Sequence, residues 1–372
     1  MGRGGDTGMG ICPEERSEMT SASSSSPVSG LHRALKGDPM PIPELPKSEH
    51  FELHRLAEGV YAAIATQGGA AYSNAGIIDL GERTLIFDTF DNPKAAVDLK
   101  AAGEQLTGRP ASHVIISHSH PDHWMGNQVF ADHAAILTTH ESREQMLAFA
   151  EPIRAMKLNP VELMDALRQD RERLEREPDE RKRASLRIAI ARSQHDLDAL
   201  PDLELRFPDQ TFEGRLVFHG AQRTAELVTQ GKGHSAGDCY LLLAADKAAF
   251  IGDLGFFACQ PFMPYADPQA WIALLDGMTQ WGVETFVPGH GPLGTKEDLV
   301  LQKQYMRLLD DLILHVIEAG GSVDDALREP LPPPFDAWLM GGMSRWEANV
   351  RSAYERLGRV TGRALRTTRS KS

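Results

Sequence analysis

Val114-Ile115-Ile116-Ser117-His118-Ser119-His120-Pro121-Asp122-His123 is the stretch that organises the reading of this chain, an apolar run followed by four potential metal ligands within six residues. Imidazole nitrogen and carboxylate oxygen together suit zinc and similar divalent ions, and the run holds more donors than one closed structural zinc requires. His118 and His120 share a side of an extended loop, whereas the adjacent Asp122 and His123 must point apart. The spacing therefore suggests two neighbouring ions. A polar loop with solvent-facing histidines does not explain the density. Donors crowded together repel one another when protonated and lose hydration when buried neutral, unless something cationic lies between them.

Further donors follow downstream at junctions where a strand-like run meets glycine-rich backbone. His234 lies in Gly231-Lys232-Gly233-His234-Ser235-Ala236-Gly237-Asp238, just before the apolar run Tyr240-Leu241-Leu242-Leu243. Asp253 ends Ala249-Phe250-Ile251-Gly252-Asp253, and His290 sits in Phe286-Val287-Pro288-Gly289-His290-Gly291-Pro292. Each alone is an ordinary turn feature. Together with the histidine-rich run they recur in order, on the same kind of strand-to-loop junction.

With these motifs in place, residues 51–294 resemble the metallo-β-lactamase-fold hydrolases, whose signature is an HxHxDH run, a glycine-flanked His, an Asp and a last His. The resemblance implies an α/β fold of four αββα layers and a centre of two zinc ions, with other divalent metals possible. It places His118, His120 and His234 on one metal, Asp122, His123 and His290 on the other, and Asp253 between them. Asp88, closing the strand-like Thr84-Leu85-Ile86-Phe87, is then the residue that orients a ligand histidine, a support that metal sites commonly need. The implied chemistry is attack by a metal-bridging hydroxide on a small ester, lactone, thioester or amide, with Asp122 orienting the nucleophile. Asp253 stands where the best-known zinc β-lactamases carry a cysteine, which disfavours antibiotic hydrolysis as the main activity. His120 stands where the diiron flavoproteins carry a glutamate, which argues against that redox branch. β-Lactam cleavage and a mononuclear iron oxygenase of the persulfide-dioxygenase type are the alternatives.

Composition bounds the partners. Against 39 Lys and Arg stand 52 Asp and Glu, a formal charge of −13 that disfavours nucleic acid or any polyanion. A small-molecule substrate is expected instead, and the oligomeric state is open. No apolar stretch reaches the eighteen or so residues that span a bilayer, and the start lacks a charged-then-apolar signal, so a cytoplasmic protein without membrane contact is expected. The three cysteines, Cys12, Cys239 and Cys259, have no CxxC spacing and suggest reduced thiols.

Along the chain, residues 1–50 are rich in Gly, Ser, Pro and charge and read as a disordered leader. Residues 51–295 read as the metallo-β-lactamase-like domain, 141–200 as a charged helical insertion within it, 296–363 as a helical extension and 364–372 as a flexible tail. Strands are expected over 59–66, 72–80, 84–88, 112–117 and 284–287. Helices are expected over 93–103, 122–130 and 267–281, the second with its positive end at the metal loop. Pro160 and Pro178 should divide the insertion, which could lean over the site as a substrate-shaping lid. The aromatic segment 254–263, with Phe256 and Phe257, and Trp124 are expected to line an apolar pocket. Tyr240 and Tyr265 are candidate proton donors to a leaving group, Ser235 reads as a hydrogen-bonding loop residue, and Trp338, Met340, Met343 and Trp346 read as packing residues.

Overall fold

A computed structural model describes residues 44–338 and 342–361. The leader assigned to 1–50 lies almost wholly, and the 364–372 tail and Met340 entirely, outside these residues, as does the side chain of Met343. Twelve strands form two sheets. The first sheet contains β1 (Phe51–Ala57), β2 (Val60–Ala65), β3 (Ala75–Asp79), β4 (Thr84–Phe87), β5 (Ala111–Ile115), β6 (Ala135–Thr139) and β7 (Gln210–Phe212), side by side in that order. In the second, β8 (Arg215–His219), β9 (Thr224–Gly231), β10 (Asp238–Leu243), β11 (Ala248–Phe256) and β12 (Thr285–His290) also follow chain order. Pairing is antiparallel from β1 to β4 and from β8 to β11. It is parallel from β4 to β7 and between β11 and β12.

The period-two alternation of the strands sorts their side chains into layers. Ile78, Leu85 and Ile115 point between the sheets, where they meet Leu227, Leu241, Phe250 and Val287. Their neighbours Ile77, Ile86 and Val114 point the other way, onto helix α1 (Pro93–Thr107) through Ala95, Leu99 and Ala102. On that same outer face lie Met146 and Ile153 of α2 (His140–Leu158). The helices α3 (Val161–Arg176) and α4 (Glu180–Ala199) complete the charged stretch, divided at Pro160 and Pro178. The outer face of the second sheet is covered by α5 (Pro268–Met278), α6 (Lys296–Glu318), α7 (Val323–Arg328) and α8 (Gly342–Thr361), with Trp271, Leu309, Trp338, Trp346 and Val350 in one core. The result is the four-layer αββα sandwich. No helix among the described residues is long and apolar enough to cross a membrane.

Two readings of the sequence are corrected. No α-helix spans 122–130: the chain makes two short 3-10 turns, Pro121–His123 and Met125–Val129. Gly126 N–H leaves the ladder to reach Phe90 O, and a Cβ on Gly126 would stand 2.0 Å from Thr89 O, so the segment is pressed against the β4 exit too closely for a helix. The helix-dipole argument for this loop therefore falls. The aromatic segment after Asp253 is not all loop either, because β11 continues to Phe256 and buries every residue on the way.

Phe250 shows how tightly the sheets are joined. Its ring is fully buried, 5.8 Å from Phe87, and a Cβ on Gly76 would come within 2.4 Å of it. Phe250→Ala is expected to cost about 3–5 kcal/mol, because the opposing glycine offers no side chain to refill the void. Urea denaturation against wild type measures it, and a loss below about 1 kcal/mol would contradict this account of the core.

Candidate metal centre

The ligand-type side chains gather at the carboxyl ends of strands, on the loops that leave them or in their last turns of backbone, where open parallel sheets commonly place their sites. The β5 exit supplies His118, His120, Asp122 and His123, and the β9–β10 connection supplies His234. Asp253 comes from a kink in β11 and His290 from the end of β12. They converge as two groups able to hold an ion, His118, His120, His234 and Asp253 in one and Asp122, His123 and His290 in the other, with ligand atoms within 4.8 Å of one another in each.

Ring nitrogens converge in the first group. His120 Nδ1 lies 3.0 Å from His118 Nε2 and 2.8 Å from His234 Nε2. Asp253 serves both groups with different oxygens. Its Oδ2 is 3.1 Å from His234 Nε2 and 3.5 Å from His118 Nε2, while its Oδ1 is 3.0 Å from His123 Nε2 and 3.4 Å from His290 Nε2. Asp122 Oδ2 closes the second group at 3.2 Å from His290 Nε2. Several of these atoms lack hydrogen bonds. His123 Nε2 and Asp253 Oδ1 face each other off the donor axis, and both are buried without a partner. Buried orphaned donors and acceptors are rare and costly. Here they all point toward the two places where a cation would satisfy them, and the nitrogen, oxygen and absent sulfur donors fit borderline divalent ions such as zinc.

Asp88 reaches both groups at once. Its carboxylate accepts from Ser117 N at 2.7 Å, Ser117 Oγ at 2.8 Å and His123 Nδ1 at 2.8 Å. Ser117 Oγ lies 3.0 Å from His118 Nδ1. This network assigns the proton of each imidazole to Nδ1, leaving His118 Nε2 and His123 Nε2 turned inward. Asp88 adopts φ +60°, a left-handed conformation uncommon for non-glycine residues, held here by those bonds. Asn74 performs the corresponding task for His290. Its Nδ2 donates to Pro288 O and Gly291 O, each at 2.9 Å, its N–H donates to Gly289 O, and His290 Nδ1 bonds Tyr72 O at 3.1 Å. A Cβ on Gly289 would stand 1.9 Å from Asp253 Oδ1, so only glycine lets the two loops meet. Ser73, whose Oγ donates to Asp122 O at 2.7 Å, and with it Asn74 and Tyr72, escaped the sequence reading because they lie in a stretch that resembles an ordinary strand; only the small polar pair before β3 distinguishes it.

Electrostatics divides the histidines. Burial and crowding by other histidines push His118 well below its usual value and His120 down to about 3, so both are neutral at ordinary pH. Burial also acts on His123, but Asp253, Asp88 and Asp122 outweigh it and raise that imidazole well above its normal value; His290 is raised for the same kind of reason. Burial opposes ionisation of Asp122 and Asp253, yet the surrounding histidines hold both well below the carboxylate range.

A cavity of about 390 Å3 opens over the centre. Its floor carries His120, Asp122, Asp253 and His290, its walls Tyr72, Phe149, Phe262 and Tyr265, and its rim Arg192 and Arg345. Trp124, Phe256 and Phe257, expected as its lining, are at most 1 % exposed and do not reach it. Trp124 packs on Phe207 and donates to Ser119 O, bracing the metal loop from behind. Phe256 stacks on His290 with ring centroids 5.0 Å apart, and Phe257 lies beneath Gly291 and Gly294. Tyr240 bonds Gln230 away from the cavity, whereas Tyr265 lines it. Ser235 caps Asp238. Cys239 and Cys259 are buried free thiols outside both donor groups.

The chain is similar to a solved structure described as a metallo-beta-lactamase from Pontibacter korlensis, at 17 % identity and TM-score 0.49, over 69 % of this chain and 99 % of that one. It is also similar to a metallo beta lactamase from Hirschia baltica, at 14 % identity and TM-score 0.48, over 69 % and 97 % of the two chains. The model of the metallo-beta-lactamase superfamily matches residues 68–290, from the turn after β2 to the last histidine of the centre, and the chain belongs to that superfamily.

Proposed function

We propose that the protein is a dinuclear metal-dependent hydrolase, zinc being the metal its donors suit best, acting on a small ester, lactone, thioester or amide. The observation that carries this reading is the division of Asp253, one oxygen toward each donor group. A single-ion site would leave Asp122, His123 and His290 buried together without purpose, which is why two ions are favoured over the mononuclear iron alternative. Bound divalent cations supply Lewis acidity toward a carbonyl and bring hydroxide within reach at neutral pH. The side chains do the rest. His118, His120, His234 and Asp253 would hold one ion, and Asp122, His123, His290 and Asp253 the other. Asp122, the most exposed of the carboxylates here at 15 %, is placed to accept a hydrogen bond from the attacking water and aim it into the cavity. Phe149, Phe262 and Tyr265 exclude bulk water from an acyl group seated against them.

Elemental analysis of the purified protein, followed by lactone, thioester, β-lactam and phosphodiester substrates, tests the proposal. About two zinc ions per chain, turnover lost to a chelator and restored by zinc, and a preference for lactone or thioester are expected. One iron with oxygen uptake would overturn it.

Asp88→Asn should lower metal affinity about 10–100-fold by releasing His123 and Ser117 from their set orientations. Competition with a chromogenic chelator reads this directly, and unchanged affinity would remove Asp88 from the centre.

Metal uptake should release protons at neutral pH, because His123 and His290 hold theirs above the usual 6.5 in the metal-free protein. Raised histidines stabilise the metal-free fold fully below pH 6.5, and that contribution is lost as pH rises through their folded values. Depressed Asp122 and Asp253 stabilise it above 3.8, and that contribution is lost as pH falls through theirs. Calorimetry of the metal-free protein should show falling Tm on the alkaline side, with the slope abolished by zinc.

A further inference from the structure

Arg345, on α8, differs from the other cations around the cavity. It is 7 % exposed, its Nη1 donates to Gln260 O at 2.7 Å and its Nη2 to the Tyr72 hydroxyl at 2.8 Å. Both acceptors are neutral, and no carboxylate among the described residues stands within ion-pair distance of it. Asp122 and Asp253 share the cavity, but their oxygens are committed to the histidines. Arg192, from α4, also approaches Tyr72. Its guanidinium lies 3.5 Å over the ring, and its Nε is 3.6 Å from Asp91 Oδ2 and 3.8 Å from Asp196 Oδ2 without a hydrogen bond to either. Thus Arg192 is balanced by two carboxylates, and Arg345 is not.

A buried guanidinium without a counter-ion is expensive, and the fold keeps this one at the mouth of a cavity rather than turning it outward. An anionic group beside Arg345 would answer its charge with a charge-assisted hydrogen bond.

We propose that Arg345, held by Tyr72 and flanked by Arg192, is an anion subsite, so that the substrate is a small acyl compound carrying a carboxylate or similar oxyanion apart from the bond to be cleaved. This rests on the hydrolase reading above. Arg345 positions the substrate by its anionic end. The acyl carbon is thereby left over the two donor groups, with Phe149 and Phe262 against the connecting chain.

The test uses the zinc-loaded full chain and two matched esters, mono-p-nitrophenyl glutarate and its methyl-capped neutral counterpart. Wild type should show the lower KM for the free acid. Arg345→Gln should raise that KM about 10–100-fold while leaving the neutral ester within about 2-fold, and Arg345→Lys should recover part of the loss. If Arg345→Gln does not fold, Tyr72→Phe, which removes only the hydroxyl that holds the guanidinium, should raise KM for the acid more than for the neutral ester. Equal KM for the two esters in wild type, or equal losses on both in the variants, would overturn the subsite. Failure of the hydrolase reading looks different, since neither ester then shows metal-dependent turnover. In that case calorimetric titration with glutarate decides: binding by wild type that Arg345→Gln abolishes upholds the subsite, and equal or no binding refutes it.

Discussion

A carboxylate buried among four imidazoles is the constraint on which this structure turns. Asp253 is 4 % exposed and lies within 3.5 Å of His118, His123, His234 and His290. An ionised carboxylate taken out of water is stable only when charge or hydrogen bonds replace the lost hydration. Without metal the replacement is proton-based, through the raised His123 and His290. With metal, cations take the protons' place. The same oxygens and nitrogens would serve both states.

Bringing Asp253 there requires backbones to approach more closely than side chains permit. Gly252, at φ +49°, passes against Ser117, and Gly289 passes against Asp253 itself. The polar bonds of Asp88 and Asn74 then lock the approach from opposite sides, Asp88 through His123 and Ser117, Asn74 through the His290 loop. None of these residues needs to touch substrate. Their effect is to leave the inward nitrogens few alternative directions, which is what lets seven side chains from four separate segments present one geometry.

How much of this could be read beforehand depends on the range of the interaction. The convergence of the donor side chains was legible because they are polar residues in places where packing gives no reason for them, and the glycines around His234, Asp253 and His290 marked sharp turns. The layered fold followed from strand-like apolar runs broken by turns and from the family pattern. Readings that needed knowledge of distant neighbours failed. The 122–130 segment has helical composition but is pressed against the β4 exit by Gly126, and Phe256 and Phe257 look like pocket residues only until β11 is seen to bury them. Arg192 and Arg345 carried no local signal at all. Their meaning comes from Tyr72, which stands 120 and 273 residues away in sequence.

That last distance bears on how the molecule divides its labour. Every donor in the two metal groups lies between His118 and His290, inside the span matched by the superfamily model. The cavity above them is built differently: Phe149 comes from α2, Arg192 from α4 and Arg345 from α8, and Ser119 in the metal loop is tied to Gln145 of α2 at 2.6 Å. The helices between β6 and β7 and the helix after the second sheet thus meet at Tyr72, through Arg192 and Arg345. A sandwich whose loops already hold the reactive centre can change what it admits by changing such helices, because they touch the cavity without altering the strand ends that place the ligands. On the anion-subsite reading, these helices place Arg192 and Arg345 beside the same cavity, so that a small anion would find cations there although the chain as a whole carries −13.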